Sequence, residues 1–181
     1  MPPGREGSRE VSLLKNEGIV TDFSSEETRE DESFMQLALS EAHKAFDRGE
    51  VPVGAVVVRR GQVIARAYNL RETAKNATAH AELLAIQQAC EAAGGWRLTE
   101  STLYVTLEPC PMCAGAILQA RIHRVVFGAR DPKAGACGSL VNLLQDDRFN
   151  HQAILRGGVL EAACTDILKT FFARLRRKGG E

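Results

Sequence analysis

The chain has no run of ~18 consecutive apolar residues, so no transmembrane helix is expected. Its first residues lack the apolar stretch of a secretory signal and are too acidic for a transit peptide, which makes the cytoplasm the expected compartment. No internal repeat and no low-complexity tract is present, which excludes solenoid and fibrous architectures. There is no even set of cysteines: five (Cys90, Cys110, Cys113, Cys137 and Cys164), without a secretory signal, argue against a disulfide framework. The Asn76-Ala77-Thr78 triplet is then a chance match to the glycosylation pattern. Net charge is also missing, with 23 basic and 23 acidic residues, but the balance is uneven. Residues 1–34 carry 4 basic and 9 acidic side chains, so the remainder of the chain is basic. A basic body is compatible with a nucleic-acid partner and equally with an ordinary solvated surface.

The 181 residues suit one domain with an extension. Residues 1–30 are rich in Glu, Arg, Ser and Gly, with short apolar patches such as residues 11–14, and are expected to form a flexible extension. Residues 31–181 form the domain. Apolar residues at helical spacing predict a first helix over 31–47. Residues 51–58 and 62–68 are rich in β-branched side chains and read as a hairpin turned at Arg59-Arg60-Gly61. A polar loop over 69–76 leads to a helix expected to start near Thr78 as its N-cap. Alternation predicts a strand at 101–107, and Pro111 opens a helix running to Ala120. Short strands follow at 125–128 and 152–156, and a last amphipathic helix spans 160–177. Strands alternating with helices imply an α/β domain with helices on a central sheet.

The chemistry is concentrated in His80-Ala81-Glu82 and Pro109-Cys110-Pro111-Met112-Cys113. One imidazole and two thiolates suit zinc. Three protein ligands leave one tetrahedral position open for water, the mark of a catalytic rather than a structural zinc. Glu82 is placed to handle protons at that water. The expected elements put the ligands at two helix N-termini, where the helix dipole favours thiolate. Read singly, His80 is a helix-start histidine, Cys110 and Cys113 a redox pair, and Glu82 a capping glutamate. The capping box from Thr78 would, however, require a carboxylate at Ala81. Cys137, between Gly135 and Gly138, is expected to be a small buried cysteine and not a fourth ligand.

Together the two motifs match the His-x-Glu and Pro-Cys-x-x-Cys signature already known for zinc deaminases, so the match is a resemblance and not a derivation. A closer resemblance covers residues 32–178. Val51-Pro52-Val53-Gly54-Ala55-Val56, Thr78-Ala79-His80-Ala81-Glu82, Leu103-Tyr104-Val105-Thr106-Leu107-Glu108-Pro109-Cys110, Met112-Cys113-Ala114-Gly115-Ala116, Arg124-Val125-Val126-Phe127-Gly128-Ala129-Arg130-Asp131 and Gly138-Ser139-Leu140 resemble the bacterial tRNA-specific adenosine deaminase family, within the cytidine deaminase superfamily. The resemblance implies a cytidine-deaminase-like three-layer α/β/α fold around a mixed sheet of about five strands. It implies hydrolysis of the wobble adenosine of a tRNA, typically an arginine tRNA, to inosine, with one zinc ion per subunit, and a homodimer. On that likeness Asn69 would bond the extruded base, and Asp131 and Asn150 would lie near the anticodon loop. A turn asparagine and solvated loop polar groups are the plainer readings of those three.

The last helix points the same way. Lys169, Arg174, Arg176, Arg177 and Lys178 come with no acid among them, beside Phe171 and Phe172. Cations for phosphates and an aromatic for an unpaired base are what single-stranded RNA binding uses. Helix-end charges favoured by the dipole are the competing account. The expected split is Phe171 in the core, Phe172 near RNA, and Arg176 and Arg177 toward phosphates. A deaminase of free guanine, cytosine or a nucleoside would share the zinc site, and a non-catalytic zinc-dependent binding module would not need Glu82.

Overall fold

The computed structural model describes residues 23–178. The apolar patch at 11–14 and most of the expected 1–30 extension lie outside the described residues. The first helix, α1 (Ser25–Asp47), begins six residues before the expected start. The reason is local: Ser24 Oγ accepts from the Glu27 N–H at 3.2 Å, and Glu27 Oε2 accepts from the Ser24 N–H at 2.9 Å. This reciprocal capping box satisfies two of the free N–H groups of the helix start. Residues 25–30, read as extension, are therefore helical.

Strands β1 (Gly54–Arg59) and β2 (Gln62–Tyr68) form the expected hairpin. Arg60 and Gly61 both have positive φ, 51° and 75°, the requirement of a type I′ two-residue turn. Next come α2 (Ala81–Ala93), β3 (Ser101–Leu107), α3 (Pro111–Ala120), β4 (Arg124–Ala129), β5 (Ile154–Arg156) and α4 (Glu161–Lys178). The sheet order is β2-β1-β3-β4-β5. β1 is antiparallel to β2 and β3, whereas β3, β4 and β5 run parallel. The five-stranded mixed sheet matches the expected class.

Side chains alternate across the strands and so feed two cores. Ala55, Val57, Leu103, Val105, Val125 and Phe127 face one side with α2 and α3. Val56, Val58, Tyr104 and Val126 face the other with α1 and α4. At the edge of β1 the backbone of α1 comes so near that a Cβ on Gly54 would collide with the Ala38 carbonyl oxygen. Among the described residues no helix is long and apolar enough to cross a membrane.

The start of α2 differs from expectation. Its N-cap is His80 (φ −76°, ψ 150°), not Thr78. Asn76 Oδ1 takes both the N–H and the hydroxyl of Thr78, at 2.9 and 2.8 Å, and folds those residues into a turn before the helix. The two-residue shift puts His80 at the helix mouth and Glu82 in its first turn.

Candidate active site

His80 caps α2 and Cys110 caps α3, with Pro111 at the first helical position of α3. Neither cap residue spends its side chain on capping, so both are free to project from the helix starts. Cys113, one turn into α3, is fully buried. The His80 ring nitrogen Nδ1 lies 3.8 Å from Cys110 Sγ and 3.6 Å from Cys113 Sγ. One ligand atom from each residue lies within 4.8 Å of the other two, so the three could hold a metal ion. Among the described residues this is the one such group of three, and buried Cys137 is not part of it.

The cluster favours negative charge on one of its two sulfurs, that of Cys110. The Cys113 thiol and the His80 ring beside it pull Cys110 down to about 4. Cys113, next to the charge on Cys110 and buried, is pushed up, and His80 is raised chiefly by Cys110. Glu82 is only 4% exposed, and burial lifts its carboxyl to about 7. A buried carboxyl that gains and loses its proton near neutrality, two residues from a ligand, is suited to move protons.

Two buried carboxylates given no role in the sequence reading organise the loops around this site. Glu50, 1% exposed, accepts from the N–H of Glu72 at 3.1 Å and of Thr73 at 2.5 Å. It thereby holds the 69–76 loop, whose Leu70 N–H bonds the Ala79 carbonyl just before His80. Glu108, 2% exposed, accepts from the N–H groups of Asp131, Cys137 and Ser139 and from the Ser139 hydroxyl. Burial alone would raise its pKa, but those donors outweigh it and hold the carboxyl below the usual range. The available signal was a charged residue closing an apolar strand immediately before Pro109-Cys110.

The remaining expected residues fall in different places. Asn69 is buried at the end of β2. Its Nδ2 donates to the Val51 carbonyl at 3.2 Å and its Oδ1 accepts from the Arg71 N–H at 3.4 Å, so its carboxamide already supports the backbone. Asp131 follows β4, and its Oδ1 accepts from the N–H groups of Lys133 and Ala134. Asn150 is exposed. Phe171 is buried and packs edge-on against Phe46, with ring centroids 5.8 Å apart. Phe172 is 42% exposed. With Arg176 it lines a cleft of about 420 Å³ between α4 and the residues after β4, together with Arg130, Lys133 and Lys169. Arg177 is exposed, lies outside this cleft and donates to the Ala173 carbonyl. Arg130 and Lys133 carry no role in the sequence reading, although Arg130 lies inside the quoted stretch that ends at Asp131 and Lys133 stands two residues beyond it.

Residues 29–176 match the model of the MafB19-like deaminase family, so fold and site together are those of a deaminase domain. The chain is 58% identical over 149 residues to a tRNA-specific adenosine deaminase of Bacillus subtilis strain 168, covering 82% of this chain and 92% of that protein. A structure from biochemical and structural studies of A-to-I editing by tRNA:A34 deaminases at the wobble position of transfer RNA superimposes with a TM-score of 0.73. It shares 48% sequence identity and covers 75% of this chain and 99% of that one. A guanine deaminase from Bacillus subtilis superimposes less well, with a TM-score of 0.52 and 40% identity, over 55% of this chain and 64% of its own. The chain belongs to the tRNA-specific adenosine deaminase family.

Proposed function

We propose that this protein hydrolyses the wobble adenosine of a tRNA, an arginine tRNA first among them, to inosine and ammonia, with one zinc ion held by His80, Cys110 and Cys113. The observation that carries the reading is the convergence of those three ligand atoms beside buried Glu82. In a tetrahedral zinc site, bond lengths of ~2.3 Å to sulfur and ~2.0 Å to nitrogen put a neighbouring sulfur and nitrogen roughly 3.5 Å apart, to within a few tenths of an ångström. The sulfur–nitrogen distances of 3.6 and 3.8 Å fit that ion, as does the donor set. When bound, zinc lowers the pKa of the attacking water to about 7.

The chain's own part is proton handling and placement. Glu82 takes a proton from the water that attacks C6 of adenine and gives it to ring nitrogen N1. It then moves a second proton from the new hydroxyl to the departing amine, so the C–N bond breaks with release of neutral ammonia. Glu82 starts and ends as a carboxylate, and burial keeps its proton affinity near that of the groups it serves.

The cleft of Arg130, Lys133, Lys169 and Arg176 supports an RNA substrate, with exposed Phe172 offering a face for an unpaired base. Asn69 would meet the base and Asp131 and Asn150 the loop, while Arg177 would reach phosphate beyond the cleft. An anticodon loop is already unpaired, so presenting its base costs less than opening a duplex. We read the enzyme as a cytoplasmic homodimer whose catalytic domain takes in the whole of α1. The likeness to guanine deaminase favours a free-base substrate as the second reading, against which stands the four-cation cleft. The test is an inosine assay on an arginine tRNA anticodon stem-loop beside free adenine, guanine, cytosine and their nucleosides. Wobble inosine with the small molecules untouched supports editing. Turnover of a free base or nucleoside alone overturns it.

A further inference from the structure

Glu108 has no chemistry left to offer. A carboxylate presents about four lone-pair directions. Oε1 accepts from the N–H of Cys137 and of Ser139, both at 3.0 Å. Oε2 accepts from the Asp131 N–H at 3.0 Å and from the Ser139 hydroxyl. Backbone N–H groups converging in this way make an anion-binding concavity, here filled by a side chain of the same molecule. Such charge-assisted bonds are stronger than neutral ones, and a buried N–H that loses its acceptor is left unsatisfied.

The loop is shaped around that charge. A Cβ on Gly135 would collide with Glu108 Cδ, and its φ is not positive, so glycine is needed there for close approach and not for backbone freedom. The Ala136 N–H bonds the Pro109 carbonyl at 2.8 Å, next to ligand residue Cys110. The Gly135 N–H bonds the Asp131 carbonyl, closing the turn from the inside. The segment gripped at both ends carries Lys133, and Arg130 stands just before it, two of the four cations of the cleft.

We propose that Glu108 is a positioning residue: its buried carboxylate is the template on which residues 131–139 fold, fixing the RNA-facing Arg130 and Lys133 relative to the helix that bears Cys110 and Cys113. The inference rests on the RNA reading for its consequence, but not for the cradle itself. Loosening the template misplaces substrate contacts while leaving the metal ligands and Glu82 in place. The cost falls on KM for the RNA rather than on kcat.

Glu108→Gln keeps the shape and replaces an acceptor oxygen with a donor, so at least one loop N–H or the Ser139 hydroxyl loses its partner. Ser139→Ala removes a single bond and is the milder variant should Glu108→Gln fold poorly, and Ser139→Thr restores the hydroxyl. Zinc content, steady-state kinetics on an anticodon stem-loop and amide hydrogen exchange are measured on each purified holoenzyme. Faster exchange confined to 131–141, zinc near one per chain, and KM raised about tenfold or more with kcat within about threefold are expected for Glu108→Gln, a smaller shift for Ser139→Ala, and recovery for Ser139→Thr. Unchanged exchange in 131–141 in both Glu108→Gln and Ser139→Ala overturns the cradle. Loss of zinc, or a fall in kcat at unchanged KM, overturns the positioning role. Failure of the RNA reading shows separately: unaltered protein that leaves the stem-loop untouched and turns over a free base removes the RNA consequence, while exchange still decides whether Glu108 holds the loop.

Discussion

The carboxylate of Asp31 and the guanidinium of Arg124 meet in a two-point ion pair, with Nη1–Oδ1 and Nη2–Oδ2 both 2.7 Å. Arg156 Nη1 adds a third bond at 2.6 Å, and the Tyr104 hydroxyl donates to Oδ1 at 2.9 Å. The Phe23 ring lies against both guanidiniums, 5.4 Å from Arg124 and 4.2 Å from Arg156. One buried carboxylate thus ties α1 to β3, β4 and β5. Asp31→Ala leaves two largely buried cations without their counter-charge and is expected to cost roughly 3–5 kcal/mol. Urea unfolding measures it, and a loss below about 1 kcal/mol, the range of exposed pairs, would show that the cluster contributes little.

The same carboxylate sets an acid limit. Burial alone would raise its pKa, but Arg124, Tyr104 and Arg156 hold it below the ordinary aspartate value. A depressed folded-state pKa contributes stability that is complete above the unfolded value of about 3.9 and fades as pH falls through the folded one. Melting temperatures of the wild-type chain and Asp31→Asn are therefore expected to differ most at neutral pH and to converge below about pH 4. Parallel curves would place the acid sensitivity elsewhere.

Hydrophobic period and turn chemistry made the elements legible. Pro111 marked the start of α3, and Arg60-Gly61 marked the hairpin. Ser24-x-x-Glu27 is a cap of four residues, a signal that the polar composition of residues 1–30 masks. The start of α2 escaped because Asn76 competes for Thr78, which propensity does not register. The trio of His80, Cys110 and Cys113 was legible because its residue types suit zinc and because the two motifs together resemble a known deaminase signature. Glu50 and Glu108 were not, because their backbone N–H partners lie more than 20 residues away in sequence, and a charge at the end of an apolar strand hints at Glu108 without naming what it bonds.

Glu82→Ala is expected to keep zinc and lose turnover by roughly 10²–10⁴-fold, the usual worth of a placed general acid–base group. The clustered ligand atoms belong to His80, Cys110 and Cys113, so removing the Glu82 carboxylate takes away none of them. Metal analysis alongside inosine formation checks both halves. Near-normal activity would remove the proton-shuttle role, and loss of metal would show that the carboxylate supports the site as well.

The cleft ranks the cations. Arg176 and Lys133 line it, whereas Arg177 does not. On a single strand, each phosphate that a cation ceases to neutralise lowers the slope of log K against log salt by about 0.7. Arg176→Ala and Lys133→Ala are each expected to lower it by about that amount, and Arg177→Ala by less. Fluorescence anisotropy of a labelled anticodon stem-loop across a salt series decides the matter. Equal effects at 176 and 177 would widen the interface beyond the cleft, and no effect at any of the three would place RNA on another face.

Cys113 and Cys137 are both buried thiols, yet only Cys113 stands within ligand distance of His80 and Cys110. Cys137 meets Glu108 through its backbone N–H, a bond that a change of side chain leaves in place. What separates the two cysteines is position, since Cys137 is not part of the one group among the described residues whose ligand atoms converge. Cys113→Ala is therefore expected to abolish stoichiometric zinc and activity together, while Cys137→Ala retains one zinc per chain and most of the turnover. Metal analysis after dialysis against a weak chelator reads both variants. Zinc lost from Cys137→Ala would close the fourth position with a protein ligand, which would make the site structural and leave no place for the attacking water.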